Sequence, residues 1–156
     1  MGDDHTYMGG RTEPSYCNRW IDKGGWYELM ARWHLASFYL DQGENDKAIQ
    51  EYRSIIERFL FSRYSTASLY NLAHIYYQQK RYGESIALCQ EIIKRYPQGA
   101  WNDTARLLIS SNYAKQGKIQ EAIQILDEII RTSDIEMNIK IARERKAEYL
   151  KSQPPK

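Results

Sequence analysis

The sequence predicts an all-α fold, an α-solenoid of three helix pairs closed by a C-terminal capping helix, and three observations carry that prediction. A block opening on Leu35 returns at Leu72 and again at Ile109, thirty-seven residues apart each time and without a gap. Within each block, apolar residues stand three and four apart on either side of a short polar turn, the spacing of two amphipathic helices. One such pair cannot bury its apolar face alone, so the copies have to stack on one another.

Taken in order, residues 1–27 form an N-terminal arm that is Gly-rich at its start and lacks the repeat. Its aromatics Tyr7, Tyr16 and Trp20 mark it as a contact segment, since disordered tails usually hold few. The arm folds back to cap the first pair, reaches into a partner, or is a loosely ordered chain end. Three units follow, at about 28–64, 65–101 and 102–135, containing LASFYLDQGENDKAIQEYRSII, LAHIYYQQKRYGESIALCQEII and ISSNYAKQGKIQEAIQILDEII. Small residues recur where helices must approach closely: Ala36, Ala73 and Ser110 on the first helix, Ala48, Ser85 and Ala122 on the second. The turns QGENDK, QKRYGE and QGKIQE each contain a glycine, the residue that lets a helix end left-handed. Residues 136–152 form the capping helix, with Ser133 and Glu136 at capping-box spacing. Its polar surface (Arg143, Glu144, Arg145, Lys146, Glu148) suits a face turned to water. Residues 153–156, Gln-Pro-Pro-Lys, are the tail that stops it.

A small residue, a tyrosine three later, a glycine at the turn, then Ala-Ile and a closing Tyr96-Pro97 resemble the tetratricopeptide repeat (TPR) over residues 28–152. The resemblance implies a right-handed superhelix and a protein-binding role. Two features depart from the family pattern. Ile55, Ile92 and Ile129 stand where the second helix usually closes on a small residue, and the period is longer than the usual thirty-four. That period and the phrase RYPQGAWNDTA are similar to TPR proteins of bacterial cell envelopes.

In this family the first helices line the concave surface. The resemblance therefore places partner contacts at Met30, Trp33, Ser37 and Leu40; at Tyr70, Asn71, His74, Tyr77 and Gln78; and at Thr104, Leu107, Ser111 and Lys115. The predicted face is aromatic and almost uncharged, and rigid aromatics make efficient anchors. Trp33 and Tyr70 serve either as anchors or as packing against the arm and neighbouring helices. The family's chaperone-binding subclass clamps a carboxylate with Lys, Asn and Arg. Here those places hold Trp33, Ser37, Asn71, Thr104 and Leu108, and Asn71 alone fits, which argues against such a clamp.

The expected function is that of a non-catalytic adaptor binding a peptide or protein on its concave aromatic face. The alternative is a fixed subunit of a large complex, anchored by the arm. With twenty-two basic and twenty acidic side chains, the chain lacks the continuous basic stripe of a nucleic-acid binder, although residues 140–156 carry a local surplus of plus four. Cys17 and Cys89 have no disulfide or zinc spacing, and no apolar run is long enough to span a bilayer. No Gly-rich phosphate loop and no nucleophile–base pair is evident, and His5, His34 and His74 stand in separate contexts, so catalytic residues, metal and cofactor are all expected to be none. The start, MGDDHTYMGG, has no signal-peptide pattern; the compartment is left open between bacterial cytoplasm and, if a targeting segment was removed, cell envelope.

Overall fold

The computed structural model describes residues 14–97 and 100–152. These hold eight α-helices: α1 Pro14–Ile21, α2 Gly25–Asp41, α3 Asn45–Arg58, α4 Arg63–Gln78, α5 Tyr82–Arg95, α6 Ala100–Lys115, α7 Ile119–Thr132 and α8 Glu136–Lys151. Among the described residues there is no strand. The chain divides into two compact units, Met1–Ser68 and Leu69–Lys156, with the boundary inside α4.

In the first unit, α1 packs on α2 and α2 on α3. The start of α1 is a proline, whose fixed φ and missing N–H suit a first helical turn. Its Cys17 is fully buried against Ala31 and Leu35, with Trp20, Ile21 and Tyr39 around them. Two consecutive glycines with positive φ, Gly24 at 67° and Gly25 at 56°, turn the chain from α1 into α2. Part of the segment expected as an arm is thus helical, and α2 starts at Gly25, ahead of the expected 28. Ala36 and Ala48 are both fully buried, and small side chains there let α2 and α3 come close.

Sequence reading missed the charge lock of this unit. The side chain of Glu28 is only 4% exposed, yet it meets two guanidinium groups: Arg32 Nε lies 2.9 Å and Arg58 Nε 2.8 Å from Oε1. Arg32 also reaches Glu51 on α3, at 2.8 Å. Burying a carboxylate is costly without such partners. Here it ties the first turn of α2 to both the middle and the end of α3.

In the second unit, α5 packs on α6, α6 on α7 and α7 on α8, and α8 also touches α6. Leu107, Leu126, Ile129 and Ala142 form a buried cluster joining α6, α7 and α8, flanked by Ile125, Ile130, Ile141 and Tyr149. Burial of each such Leu or Ile contributes about 1.5–3 kcal/mol. Neutral hydrogen bonds add register. Ser110 Oγ donates to the Ala122 carbonyl at 3.1 Å, and Asn112 Nδ2 donates to Ser85 Oγ at 3.0 Å.

Three helix-to-helix turns share one closure. The amides of Glu44, Arg81 and Lys118 return to the carbonyls of Tyr39, Tyr76 and Tyr113, while those of Gly43, Lys80 and Gly117 reach Leu40, Tyr77 and Ala114. This is the Schellman arrangement, and it needs a left-handed residue. Gly43 and Gly117 supply it with φ of 73° and 77°. In the middle turn the expected glycine does not: Lys80 takes the left-handed position with φ 62°, and Gly83 lies inside α5. Register decides this, because Lys80 aligns with the two glycines and Gly83 falls three residues later.

The expected capping box at α8 is absent as well. The helix begins after Ile135, and Ser133 Oγ accepts the Ile135 amide at 3.1 Å. The same hydroxyl donates to Asp103 on α6, which holds Ser133 ahead of the N-cap position.

Candidate partner-binding face

On α4, Tyr70, His74 and Tyr77 are spaced four and three apart, so they project from one side of the helix. Their rings continue into neighbouring elements of the second unit. Trp101 at the start of α6 lies 5.9 Å from Tyr70, His74 lies 6.4 Å from Tyr70 and 6.0 Å from Tyr77, and Tyr82 at the start of α5 lies 6.0 Å from Tyr77. His74 is exposed and the other four are half-buried. Each ring is braced by a neighbour and keeps surface to offer, which suits low-entropy contact. Asn71 is half-buried beside them and Gln78 is exposed.

The α6 contribution is more polar. Ser111 Oγ donates to the Leu107 carbonyl at 3.1 Å, Thr104 is half-buried and Lys115 is exposed. Leu107 corrects the expectation: its side chain is only 7% exposed and belongs to the core with Leu126, Ile129 and Ala142. Only its carbonyl serves the face. From α8, Arg145 Nη1 donates to that carbonyl at 3.1 Å and to Ser111 Oγ at 3.0 Å. Arg145 was expected to face water, and the face was expected to be almost uncharged. Both expectations fail, because the carbonyl and hydroxyl of α6 hold the guanidinium. Its neighbour Lys146 also turns inward along the chain, pairing with Asp127 on α7. Burial raises the Tyr70 phenol above its ordinary pKa, with Cys89 adding to the rise and nearby Arg145 opposing it.

In the first unit, Met30, Trp33, Ser37 and Leu40 are half-buried on α2. The Trp33 ring meets Tyr52 at 5.8 Å and Tyr64 at 5.3 Å, both edge-on, and Ser37 Oγ bonds the Trp33 carbonyl at 3.2 Å. Of the arm residues, Trp20 stacks on Tyr27 at 5.1 Å beneath the Lys23 ammonium. Tyr7 and the side chain of Tyr16 lie outside the described residues.

Trp101, Tyr82 and Arg145 were missed as members of the face. Tyr82 falls in the segment QKRYGE expected as a turn, Trp101 follows the RYPQGA loop, and Arg145 follows Glu144 in a charged run. Internal alignment was the available signal for Arg145: it occupies the place of His34, Asn71 and Leu108.

Other features are closed or inert. A polar cleft of about 270 Å³ beside the α7–α8 loop is lined by Asn102, Asp103, Arg106 and Ser133 among others. Asp103 is engaged there by Ser133 and Asn138, and Arg106 by Glu128. Burial pushes the Cys89 thiol up to about 12 and raises Cys17 also, so both stay protonated at neutral pH. Among the described residues, no three His, Cys, Asp or Glu side chains gather to hold a metal, and no helix is long and apolar enough to cross a membrane.

No curated protein matches the chain by sequence. Among solved structures, it is similar to the nearly identical TPR-like repeats of a Podosopora anserina protein described as a kinesin light chain. The TM-score is 0.68 at 14% identity, over 92% of this chain and 80% of that one. At that identity the likeness shows the fold alone, the all-α helix-pair class of TPR solenoids. Models of the tetratricopeptide repeat match residues 30–59 and 64–133, and the chain belongs to the tetratricopeptide-repeat family.

Proposed function

We propose that this chain is a non-catalytic adaptor that holds an extended segment of a partner protein on the ring face of its second unit. Tetratricopeptide repeats are in general protein-interaction modules, which gives the class. The observation that carries the finer reading is the run Trp101, Tyr70, His74, Tyr77 and Tyr82, five neighbouring rings that keep part of their surface open. Neighbouring rings that keep part of their surface open are suited to contact with a partner.

A photo-crosslinking amino acid placed at Tyr77, with a second variant carrying it at exposed Gln90 on α5, tests this in native lysate. The Tyr77 variant is expected to capture a discrete partner, and Tyr70→Ala in the same chain to abolish capture. Capture from Gln90 alone would sink the reading.

A second reading, a fixed subunit of a larger assembly, is favoured by the first unit. There Phe61 is 99% exposed, with Leu60 at 45% and Trp26 at 58%. A subunit of that kind should self-associate when isolated. Light scattering that finds a concentration-independent monomer would remove it.

A further inference from the structure

We propose that the segment bound on the ring face carries an aspartate or glutamate side chain that pairs with Arg145, next to a residue lying on the Tyr70 and Trp101 rings. This rests on the adaptor reading and names the chemistry of its ligand. Arg145 differs from Arg32, Arg81, Arg95 and Arg106, each of which pairs with a carboxylate of this chain. Among the described residues Arg145 forms no ion pair, although Glu144 and Glu148 lie on the same helix. Its two hydrogen bonds, to the Leu107 carbonyl and Ser111 Oγ, both leave from Nη1. They hold the guanidinium in place while Nε and Nη2 find no acceptor among the described residues. A guanidinium edge presents two parallel N–H groups, which match the two oxygens of a carboxylate.

The surroundings favour an anion. Arg145 is half-buried, and its α6 neighbours are a carbonyl and a hydroxyl that do not neutralise it. Lys115, one turn beyond Ser111, is exposed and adds positive potential. Trp101, which meets the Tyr70 ring at 5.9 Å, and the Leu107 carbonyl and Ser111 hydroxyl that hold Arg145 all belong to α6, so rings and cation are brought together along one helix. A half-buried cation without a counter-charge gains more from a carboxylate than an exposed one does, because less solvent screens the pair. The source is a side chain within an extended peptide, since the run of rings goes on from Tyr70 through His74 and Tyr77 to Tyr82.

An array of random decapeptides with amidated C-termini, probed with the full chain, reads this directly. Retained peptides should be enriched in Asp and Glu, and their Asn or Gln versions should bind about tenfold more weakly. Arg145→Gln keeps a side chain able to donate to Ser111 and removes the charge; it should erase that preference while circular dichroism still reports folded helix. If Arg145→Gln fails to fold, the Asp-to-Asn peptide comparison on the unaltered protein decides. Binding that depends on Tyr70 but shows no acidic preference, or keeps it in Arg145→Gln, overturns the proposal and leaves the adaptor reading standing. A requirement for a free C-terminus reassigns the carboxylate and overturns the side-chain assignment. An array that retains nothing, or retention indifferent to Tyr70→Ala, defeats the adaptor reading and this inference together.

Discussion

The two units solve the same packing problem with different chemistry. In the first, α2 is fastened to α3 by ions: Glu28 between Arg32 and Arg58, with Glu51 completing the set. In the second, the buried bonds from α6 are neutral, Ser110 to the Ala122 carbonyl and Asn112 to Ser85, and its ion pair to α7, Arg106 with Glu128, is more exposed. Corresponding positions differ in kind. Glu28 and Asn102 occupy equivalent places, yet the first is held by guanidinium groups and the second by the Pro97 carbonyl, at 2.8 Å. A repeat therefore specifies where a buried polar group sits and leaves open which chemistry satisfies it. The neutral bonds need no cation, and Arg145 of the second unit pairs with no carboxylate among the described residues.

Cys17 and Cys89, one buried in each unit, allow the two locks to be broken separately and read by thiol labelling. The largest effect is expected from Leu126→Ala, which empties the fully buried centre of the α6–α7–α8 cluster and should cost about 3–4 kcal/mol in urea unfolding. Cys89 labelling should accelerate more than Cys17 labelling; the reverse order would mean that the two units do not open separately. Glu28→Ala comes next, at about 3 kcal/mol, because Arg32 loses one of its two partners inside the fold and the α2–α3 contact loses its hub. Here Cys17 should respond first. An unchanged urea midpoint would show that the ion cluster adds nothing beyond apolar packing.

Two smaller changes sharpen the comparison. Lys80→Gly relieves a left-handed non-glycine residue in the turn between α4 and α5 and should stabilise by about 1 kcal/mol. A loss of stability there would mean that Lys80 is not strained. The smallest effect concerns His34, whose pKa burial lowers from its ordinary 6.5. The unfolded chain then takes the proton first. Stability is complete above pH 6.5, falls as pH drops from there toward the lower folded value, and is flat below it. His34 is only half-buried, so this amounts to less than about 1 kcal/mol. The thermal midpoint of His34→Gln should lose that part of the pH slope, and an identical slope in both proteins would refute it.

The helices were legible because their apolar periodicity repeats in register, and three aligned copies override weak local propensity. The turns were legible to within one residue type: Gly43 and Gly117 were visible as helix stops, whereas Lys80 shows its role only through alignment with them. Polar partners were not legible. Nothing local links Glu28 to Arg58 or Arg145 to Leu107, since these bonds span thirty and thirty-eight residues and depend on how the helices pack. The candidate face was half legible for the same reason. Tyr70, His74 and Tyr77 follow from helical spacing on α4, but Trp101, Tyr82 and Arg145 join them only through packing. Leu107 was misplaced because the face position of its helix lies over the α7–α8 core, where an apolar side chain is drawn inward.

The repeated Schellman turn bears on how such a chain can lengthen. Each turn satisfies its own carbonyls within six residues, from Tyr39 to Glu44, Tyr76 to Arg81 and Tyr113 to Lys118. A cation from the following residues sits over each of those tyrosines: Lys47, Arg81 and Lys118. The joint makes no demand on distant sequence. Gene duplication with breakpoints at two such joints would insert a whole unit without orphaning a backbone hydrogen bond, whereas breakpoints inside α6 would separate Ser110 from Ala122. The turn thus acts as a seam along which the coding sequence can be cut and copied.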